Sequence, residues 1–555
     1  MLAASRPATT RRRDFFSSLR TLVELFAIAT LVSACGAATL ATQSSREVEV
    51  PPYASAYSTD AGRSGVRGSE AATRAEHQLK EKLRQRGDGE AKPDAALAAT
   101  AAWALKRAYA NQNLSDTRVL ADAAMRFGFT GLVQGFAIMP LSDARAEELI
   151  GSMLAGVPGN SRVTRYGIVG GAGSDVAFLI GAVEASLEDF PRAVAPGGSL
   201  RLSGELDPRF ERASVFSTNP SGETREIAMP SRKVEATLEF PLVGTYSLEL
   251  MGYGSTGPVV LMNVPIRVGV EEAAESEGDV QVDPNLTPEK AQDELLSLLN
   301  TERVKHGLAR VELDGELGAI ALAHSEDMAL HDFFGHVSPN TGAPEDRVRK
   351  ADVRVSRVGE CVALELTPER AHRGLLASPA HRAAMLDPRF THVGIGVAFR
   401  GDEPPPRRLR VTLLLGRRVP PEETRQSAES VAAYVQSLRQ SRKLGSVRVD
   451  PILTAVASAG TTALANASDK SSRTALAASA SELQRQVNRT KRSRSVCQSF
   501  VEVLEREELG SVGLLSDPDL ASIGVGVVEL TDAKGSRLGV LVAGEARPGS
   551  ALRCR

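Results

Sequence analysis

Apolar and polar positions divide the chain into stretches of different period. Residues 22–32 form an apolar run interrupted by Glu24. From residue 36 to about 92 the chain is rich in Ser, Ala, Gly and charge, with almost no apolar periodicity. Such a composition buries too little apolar surface to offset the entropy of ordering, so residues 35–92 are expected to be a disordered tether. Over residues 191–270 the period is two: Val234-Glu235-Ala236-Thr237-Leu238-Glu239-Phe240 and Tyr246-Ser247-Leu248-Glu249-Leu250 alternate about a Gly244-Thr245 turn. Further short apolar runs at Leu200, Leu202, Val215, 259–261 and 266–268 complete the signal for a small antiparallel β-sandwich. No ionisable cluster stands out in it, and a spacer role is expected.

From residue 285 the period becomes helical. Thr287-Pro288-Glu289 reads as an N-cap, an N1 proline and a first-turn acid, Leu295, Leu298 and Leu299 share a face, and Gly307 is a C′ glycine. Asp314 caps a second helix with Leu317, Ile320, Ala321, His324 and Met328 on its apolar face. Thr367-Pro368-Glu369 starts another helix, and residues 393–399 and 409–415 read as strands around a charged, Pro-rich hairpin. An acidic linker over 271–284 and Pro420-Pro421-Glu422-Glu423 mark boundaries. They leave an α/β block at 95–190, the sandwich at 191–270, and blocks at 285–419 and 425–555.

Composition changes this picture in three ways. A length of 555 residues matches several domains, and a formal net charge of −2 removes any electrostatic case for a nucleic-acid partner. With aromatic residues at 4% and a single Trp, an aromatic stacking platform is excluded. Four cysteines exclude a disulfide scaffold or a multi-cysteine metal framework. The basic residues Arg11, Arg12, Arg13 and Arg20 precede the apolar run, which ends in Val32-Ser33-Ala34-Cys35. That ending resembles a bacterial lipobox. The resemblance implies a lipoprotein signal peptide over 1–34 and a lipid anchor on Cys35; the alternatives are an ordinary signal peptide or a short anchor helix. Arg12-Arg13-Asp14-Phe15-Phe16 resembles a twin-arginine signal, with the Sec route as the other choice. Gly36 in place of Asp after Cys35 points to the outer membrane in a Gram-negative envelope.

The block at 285–419 carries the chemistry. Its stretches Leu299-Asn300-Thr301-Glu302-Arg303, Ala323-His324-Ser325-Glu326-Asp327-Met328, Gly335-His336-Val337-Ser338-Pro339, Gly359-Glu360 and Ser378-Pro379-Ala380-His381-Arg382 follow in order. They resemble the bacterial branch of the CAP superfamily (cysteine-rich secretory, antigen 5 and pathogenesis-related 1-like proteins, also called SCP-like). The resemblance implies an α-β-α sandwich with a shallow cleft lined by His336, Glu360 and His381. It also implies a divalent metal, zinc or magnesium, on His336 and His381, with Glu360 completing the site or acting as general base. Where the family has Gly-Glu-Asn this chain has Gly359-Glu360-Cys361, and the Trp before the second histidine is replaced by Gly374-Leu375-Leu376. Glu369 is the candidate for the family's second acid. His324 is expected to be a packed core histidine, His331 and His372 to lie on solvated helix faces, His392 near a strand start, and His306 at a helix C-terminus.

The chain also resembles itself. Arg439, Leu444 and Asp450 stand 136 residues after Arg303, Leu308 and Asp314, and Cys497 stands 136 after Cys361. Asp517-Pro518 and Ile523 through Val527 stand 130 after Asp387-Pro388 and Val393 through Val397. Block 425–555 is therefore expected to be a degenerate second CAP-like domain, with Val496 opposite Glu360 and no histidine after His392. For the α/β block at 95–190 a third degenerate copy is one reading, since residues 165–170 and 176–180 resemble the closing strands and Leu105-Lys106-Arg107 the first helix; the other is chance recurrence of glycine-rich apolar strands. Cys497 and Cys554 are candidates for a disulfide, leaving Cys361 either a buried free thiol or a nucleophile beside His381. The leading functional reading is a lipid-anchored envelope protein that binds lipid, peptidoglycan or protein. A metal-assisted hydrolase on His336, His381 and Glu360 is the alternative, and a structural spacer the third.

Overall fold

The computed structural model describes residues 48–60, 66–67, 69–110, 112, 114, 117–140, 143–171, 175–272, 281–401, 407–418, 427–465, 481, 485, 495–503, 506–532 and 535–552. Cys35, Cys554, the expected signal peptide and the Pro420-Pro421 linker lie outside them. No helix among the described residues is long and apolar enough to cross a membrane.

The elements of the first block are β1 (Ala56–Tyr57), β2 (Val66–Arg67), α1 (Glu70–Arg86), β3 (Lys92–Pro93), α2 (Ala95–Tyr109), α3 (Thr117–Arg126), β4 (Leu132–Pro140), α4 (Asp143–Ala155), β5 (Arg165–Gly170) and β6 (Asp175–Ala182). The sandwich follows as β7 (Ala185–Leu187), β8 (Phe190–Pro191), β9 (Ala193–Val194), β10 (Ser199–Leu206), β11 (Phe210–Thr218), β12 (Thr224–Met229), β13 (Lys233–Glu239), β14 (Gly244–Gly254) and β15 (Gly257–Val268). The third block comprises α5 (Pro288–Lys305), β16 (Glu312–Leu313), α6 (Gly315–Leu330), α7 (Pro344–Lys350), β17 (Val358–Glu365), α8 (Pro368–Ala377), α9 (Pro379–Met385), β18 (His392–Phe399) and β19 (Leu409–Gly416). The last comprises α10 (Ala428–Ser441), β20 (Arg448–Val449), α11 (Pro451–Ala465), β21 (Val496–Val503), β22 (Leu520–Asp532) and β23 (Gly535–Ala546).

The third block is an α-β-α sandwich. Its sheet runs β16-β18-β19-β17, with β16 parallel to β18 and the other pairs antiparallel. Every residue of β19 is buried, as expected of a central strand covered on both faces. On one face α6 sets Leu317, Ile320 and Ala321 against Leu414. On the other, Leu295, Leu299, Leu375 and Met385 from α5, α8 and α9 pack on Ile395, Val411 and Leu413. The caps read from the sequence are present: Thr287 accepts from Lys290 N at 3.3 Å, and Asp314 Oδ1 accepts from Glu316 N and Leu317 N at 3.0 Å. Two glycines let α6 rest on bare strand backbone. A Cβ on Gly394 would lie 2.0 Å from Leu317 C, and one on Gly396 would lie 2.2 Å from Ala321 C. Gly394→Ala is expected to cost at least about 1–3 kcal/mol by overpacking, read as a lower urea midpoint. An unchanged midpoint would mean that the helix does not sit so close.

The same strand order and directions occur in the last block, β20-β22-β23-β21. Equivalent residues hold it. Arg303, fully buried, donates to the carbonyls of Ala309 (2.9 Å), Met385 (2.7 Å), Asp387 (3.1 Å) and Phe390 (3.2 Å). Arg439, also fully buried, donates to Gly445 (2.8 Å), Leu515 (2.9 Å) and Asp517 (2.9 Å). Asp450 caps α11 as Asp314 caps α6, and Gly524 and Gly526 meet Leu453 and Ala457 of that helix.

The first block has this plan too, and it begins earlier than expected. Strand β3 runs parallel to β5, and β5-β6-β4 is antiparallel. Asp94 caps α2 through Leu97 N at 2.9 Å, and a Cβ on Gly167 would lie 2.2 Å from Leu97 and Ala98 backbone. Arg86 at the end of α1 donates to Pro158 O (2.8 Å) and Ser161 O (2.9 Å), as Arg303 does to the residues entering β18. Residues 70–86 are thus a helix with Ala72, Ala75, Leu79 and Leu83 in the core, against the tether expected there. Its face is built mainly of alanine between charged residues, which gives little hydropathy contrast. Tyr57, in the same expected tether, is fully buried in the sandwich core. Residues 95–109 correspond to the second helix of the plan, not the first.

One further correction concerns register. Glu360 pairs with Leu414, which pairs with Gly394; in the last block Gly524 pairs with Ala543, which pairs with Gln498. Gln498, rather than Val496, therefore stands opposite Glu360. The two-residue difference preserves the strand faces, so spacing alone hid it. Cys497 is disulfide-bonded and Cys361 is a buried free thiol.

The sandwich packs a three-stranded sheet, β13-β10-β7, on a five-stranded sheet, β12-β11-β14-β15-β9. Inward-facing Leu200, Leu202, Val215, Leu248 and Ile266 make its core. Glu272, in the expected acidic linker, is tied to Arg192 and lies 3.6 Å from Arg267.

Candidate functional site

Three elements of the third block meet at Glu360. Strand β17 carries it with 2% of its side chain exposed. The loop after α6 brings His336, whose Nδ1–H donates to Glu360 Oε1 at 3.0 Å. Helix α7 brings Arg347, which donates to Glu360 Oε2 and to the His336 carbonyl at 3.0 Å. His324 on α6 donates from Nε2 to Gly335 O at 3.0 Å, and the same nitrogen is 3.9 Å from Glu360 Oε1. Burial by itself would raise the Glu360 pKa. The hydrogen bond and charge of His336, with Arg347 and His324, outweigh burial and hold the carboxyl below its usual range.

His381 lies at the start of α9, where Ser378 accepts from its N–H at 3.4 Å. Its ring centroid is 5.7 Å from that of His336. The residue as a whole is half-buried, but its Nε2 is closed off from solvent. Burial, assisted by the neighbouring His336, lowers its pKa to about 3. It is neutral at physiological pH. Cys361 Sγ faces the His381 carbonyl at 3.8 Å rather than its ring, and burial, then the Glu360 charge, pushes the thiol well up. Such a thiol is inert, which removes the nucleophile reading.

The structure thus brings His336, Glu360 and His381 together. It adds Arg347, which the sequence left unmarked, and His324, expected only as a core histidine. Pro344-Glu345-Asp346, an N1 proline with first-turn acids, was the available signal for α7. Glu369 is elsewhere: its carboxyl shares a proton with Glu294 of α5, whose pKa rises to about 7 through burial and that neighbour. His372 is buried, not solvated, because α8 packs that face inward.

This donor set does not fit a divalent metal. Both Glu360 oxygens are engaged, one by a guanidinium that already neutralises the charge a cation would need. Among the described residues no group of three or more His, Cys, Asp or Glu is arranged to hold an ion.

The cleft is walled by two other blocks. Sandwich residue Glu249 is fully buried and accepts from Ala380 N at 3.0 Å. Asn263 Nδ2 and Ser247 Oγ both donate to Ala377 O, at 2.9 and 3.2 Å. Gly257, at the β14–β15 turn, abuts Val337, where an added Cβ would lie 2.7 Å from Cγ2. From the first block, Asn160 exchanges two hydrogen bonds with Phe334 backbone at 2.8 and 2.9 Å. A separate open pocket of about 800 Å³ is lined by Leu330, His331, Phe399 and Arg400 among others. There Asp327 fixes His331 through Nδ1 at 2.7 Å.

Comparison with known proteins fits this geometry. Residues 296–404 match the family described as CAP, the cysteine-rich secretory protein family. The chain is 39% identical over 108 residues to the Bacillus subtilis (strain 168) protein described as uncharacterized membrane protein YlbC, covering 19% of this chain and 31% of that protein. It is 35% identical over 108 residues to the uncharacterized protein YkwD of the same organism, covering 19% and 42%. The chain therefore spans less than half the length of these relatives. Among solved structures, an extracellular protein containing an SCP domain from Bacillus anthracis str. Ames is 17% identical, with a TM-score of 0.21, covering 39% of this chain and 86% of that one. An outer surface protein from Borrelia burgdorferi is 21% identical, with a TM-score of 0.22, covering 24% and 97%. The stretch that carries His336, Glu360 and His381 is a CAP domain.

Proposed function

We propose that this chain is a non-catalytic binding protein of the bacterial envelope, built from three units of the CAP plan of which, among the described residues, the third alone keeps a polar cleft. The observation that carries the reading is the pairing of Glu360. Its two oxygens accept from His336 and Arg347, and this pairing holds the carboxyl below its usual range, which makes it a weak base toward an attacking water. His381 is neutral, and its Nε2 is shut away from solvent. The first and last units support a scaffold role. They repeat the arginine, aspartate and glycine positions of the third, while Phe136 and Gln498 stand at the register of Glu360. The resemblance of Val32-Ser33-Ala34-Cys35 to a lipobox supports lipid anchoring, Gly36 supports an outer-membrane location, and the description of YlbC as a membrane protein agrees with an envelope setting. Lipid, peptidoglycan or another protein is the ligand class, with the pocket at His331 accessible to it.

The test uses the chain from residue 36 onward. Fewer than about 0.1 divalent ions per chain are expected by elemental analysis, with no hydrolysis of ester, peptide or glycan probes. Sedimentation with purified peptidoglycan and with anionic vesicles identifies the ligand. One ion per chain, lost in His336→Ala/His381→Ala together with a hydrolytic activity, would replace this reading by the hydrolase.

A further inference from the structure

The sandwich does more than separate its neighbours. Its five-stranded sheet presents Ser247, Glu249 and Asn263 to residues 377–380, the turn that leads into the His381 helix. The Asn219–Glu223 turn reaches Arg382, since a Cβ on Gly222 would lie 2.9 Å from its guanidinium. The β14–β15 turn reaches Val337, the neighbour of His336. These contacts span both histidines of the cleft, and they are specific: two side chains converge on one carbonyl, and a buried carboxylate accepts from one amide. The same seam leaves polar atoms unsatisfied. Among the described residues His381 Nε2 and Glu249 Oε2 are buried without a hydrogen-bond partner. Each such group costs free energy when closed in and regains partners when opened to solvent or ligand. A seam joined by three hydrogen bonds that leaves the buried Glu249 Oε2 unsatisfied holds closed without being locked.

We propose that the β-sandwich is an intramolecular cover for the histidine cleft, and that a ligand reaches His336 and His381 only when the sheet bearing Ser247, Glu249 and Asn263 lifts from residues 377–382. The proposal rests on the binding reading for its consequence, that cleft occupancy and sandwich docking exclude one another. Its test reads accessibility alone and needs no ligand.

The experiment is carbethoxylation of the full chain by diethyl pyrocarbonate, with each histidine followed by peptide mass spectrometry. His331, with 47% of its side chain exposed, is the reference. In the wild-type protein His381 is expected to react at least tenfold more slowly than His331. In Ser247→Ala/Glu249→Ala/Asn263→Ala it is expected to react at least tenfold faster than in the wild type. His324, in the core behind the cleft, should stay protected. Glu249→Gln keeps an acceptor for Ala380 N and should leave His381 slow. The cover is refuted if wild-type His381 reacts as fast as His331, or if the triple variant leaves its rate unchanged. It is equally refuted if His324 and His381 gain reactivity together, since that is unfolding of the domain and not release of a lid.

Discussion

Replacing Arg347 by methionine is expected to destabilise the CAP domain by about 3–5 kcal/mol, the cost of leaving a buried charge without its counter-ion. Arg347 is 5% exposed and Glu360 2%, so water cannot take over the guanidinium's role. The variant retains a carboxylate with His336 on one oxygen and nothing on the other. Removing the carboxylate as well, in Arg347→Met/Glu360→Leu, should recover at least half of the loss, because two apolar groups of similar size replace a pair that had first to be desolvated. The deficit should also depend on pH. Glu360 has a folded pKa below its reference of 4.5, so its stabilising contribution is present above that value and fades as pH falls through the folded pKa. The single variant and the wild type should therefore converge in acid. Urea unfolding at pH 7 and pH 3 measures both effects, and a cost below about 1 kcal/mol at pH 7 would show that Glu360 is not an uncompensated ion.

Glu249→Gln should act in the opposite direction. Burial raises the Glu249 pKa from 4.5 to about 7, against the hydrogen bonds from Ser378 and Ala380 that lower it. A carboxyl whose folded pKa is raised favours the folded, docked state when protonated. That contribution is complete below about pH 4.5 and is lost as pH rises through about 7. Above this window the ion is held where water would solvate it better. At roughly 1.4 kcal/mol per pKa unit, the neutral glutamine should be more stable than the wild type by roughly 3 kcal/mol at pH 8 and indistinguishable at pH 4. Equal unfolding midpoints at both pH values would place Glu249 in contact with water.

Much of the CAP domain was legible because its elements announce themselves locally. Thr287, Asp314 and Thr367 cap the helices they were read to cap, and residues 393–399 and 409–415 are the closing strands. His336 and Glu360 were legible through motif spacing. Arg347 was not, because a guanidinium on a short helix carries no periodic signal and its partner sits on the next element, 13 residues on, outside any helical or strand spacing. The first unit was misplaced for a different reason. A helix packed through Ala71, Ala72 and Ala75, with large apolar side chains only at Leu79 and Leu83, shows little hydropathy contrast, so composition presents it as a loose polar segment. The role of Glu249 was hidden by the alternation that revealed its strand. An outward-facing glutamate in such a strand reads as solvated until a second domain is known to cover it.

The arginines at the ends of the first helices, Arg303 and Arg439 fully buried and Arg86 half-buried, also fix the length of chain that each unit must close. Arg86 reaches across 71 to 75 residues, Arg439 across 76 to 78, and Arg303 across 82 to 87. Each clasp closes a loop of nearly the same length, and closure entropy grows only with the logarithm of that length. The three loops therefore differ by only about 0.2 kcal/mol in the entropy lost on closing. The three blocks differ in most of their residues while the spans closed by these arginines stay within a few residues of one another. Loop closure should accordingly make no unit slower than the others, and stopped-flow refolding of the whole chain is expected to show no slow phase that belongs to one unit's clasp alone.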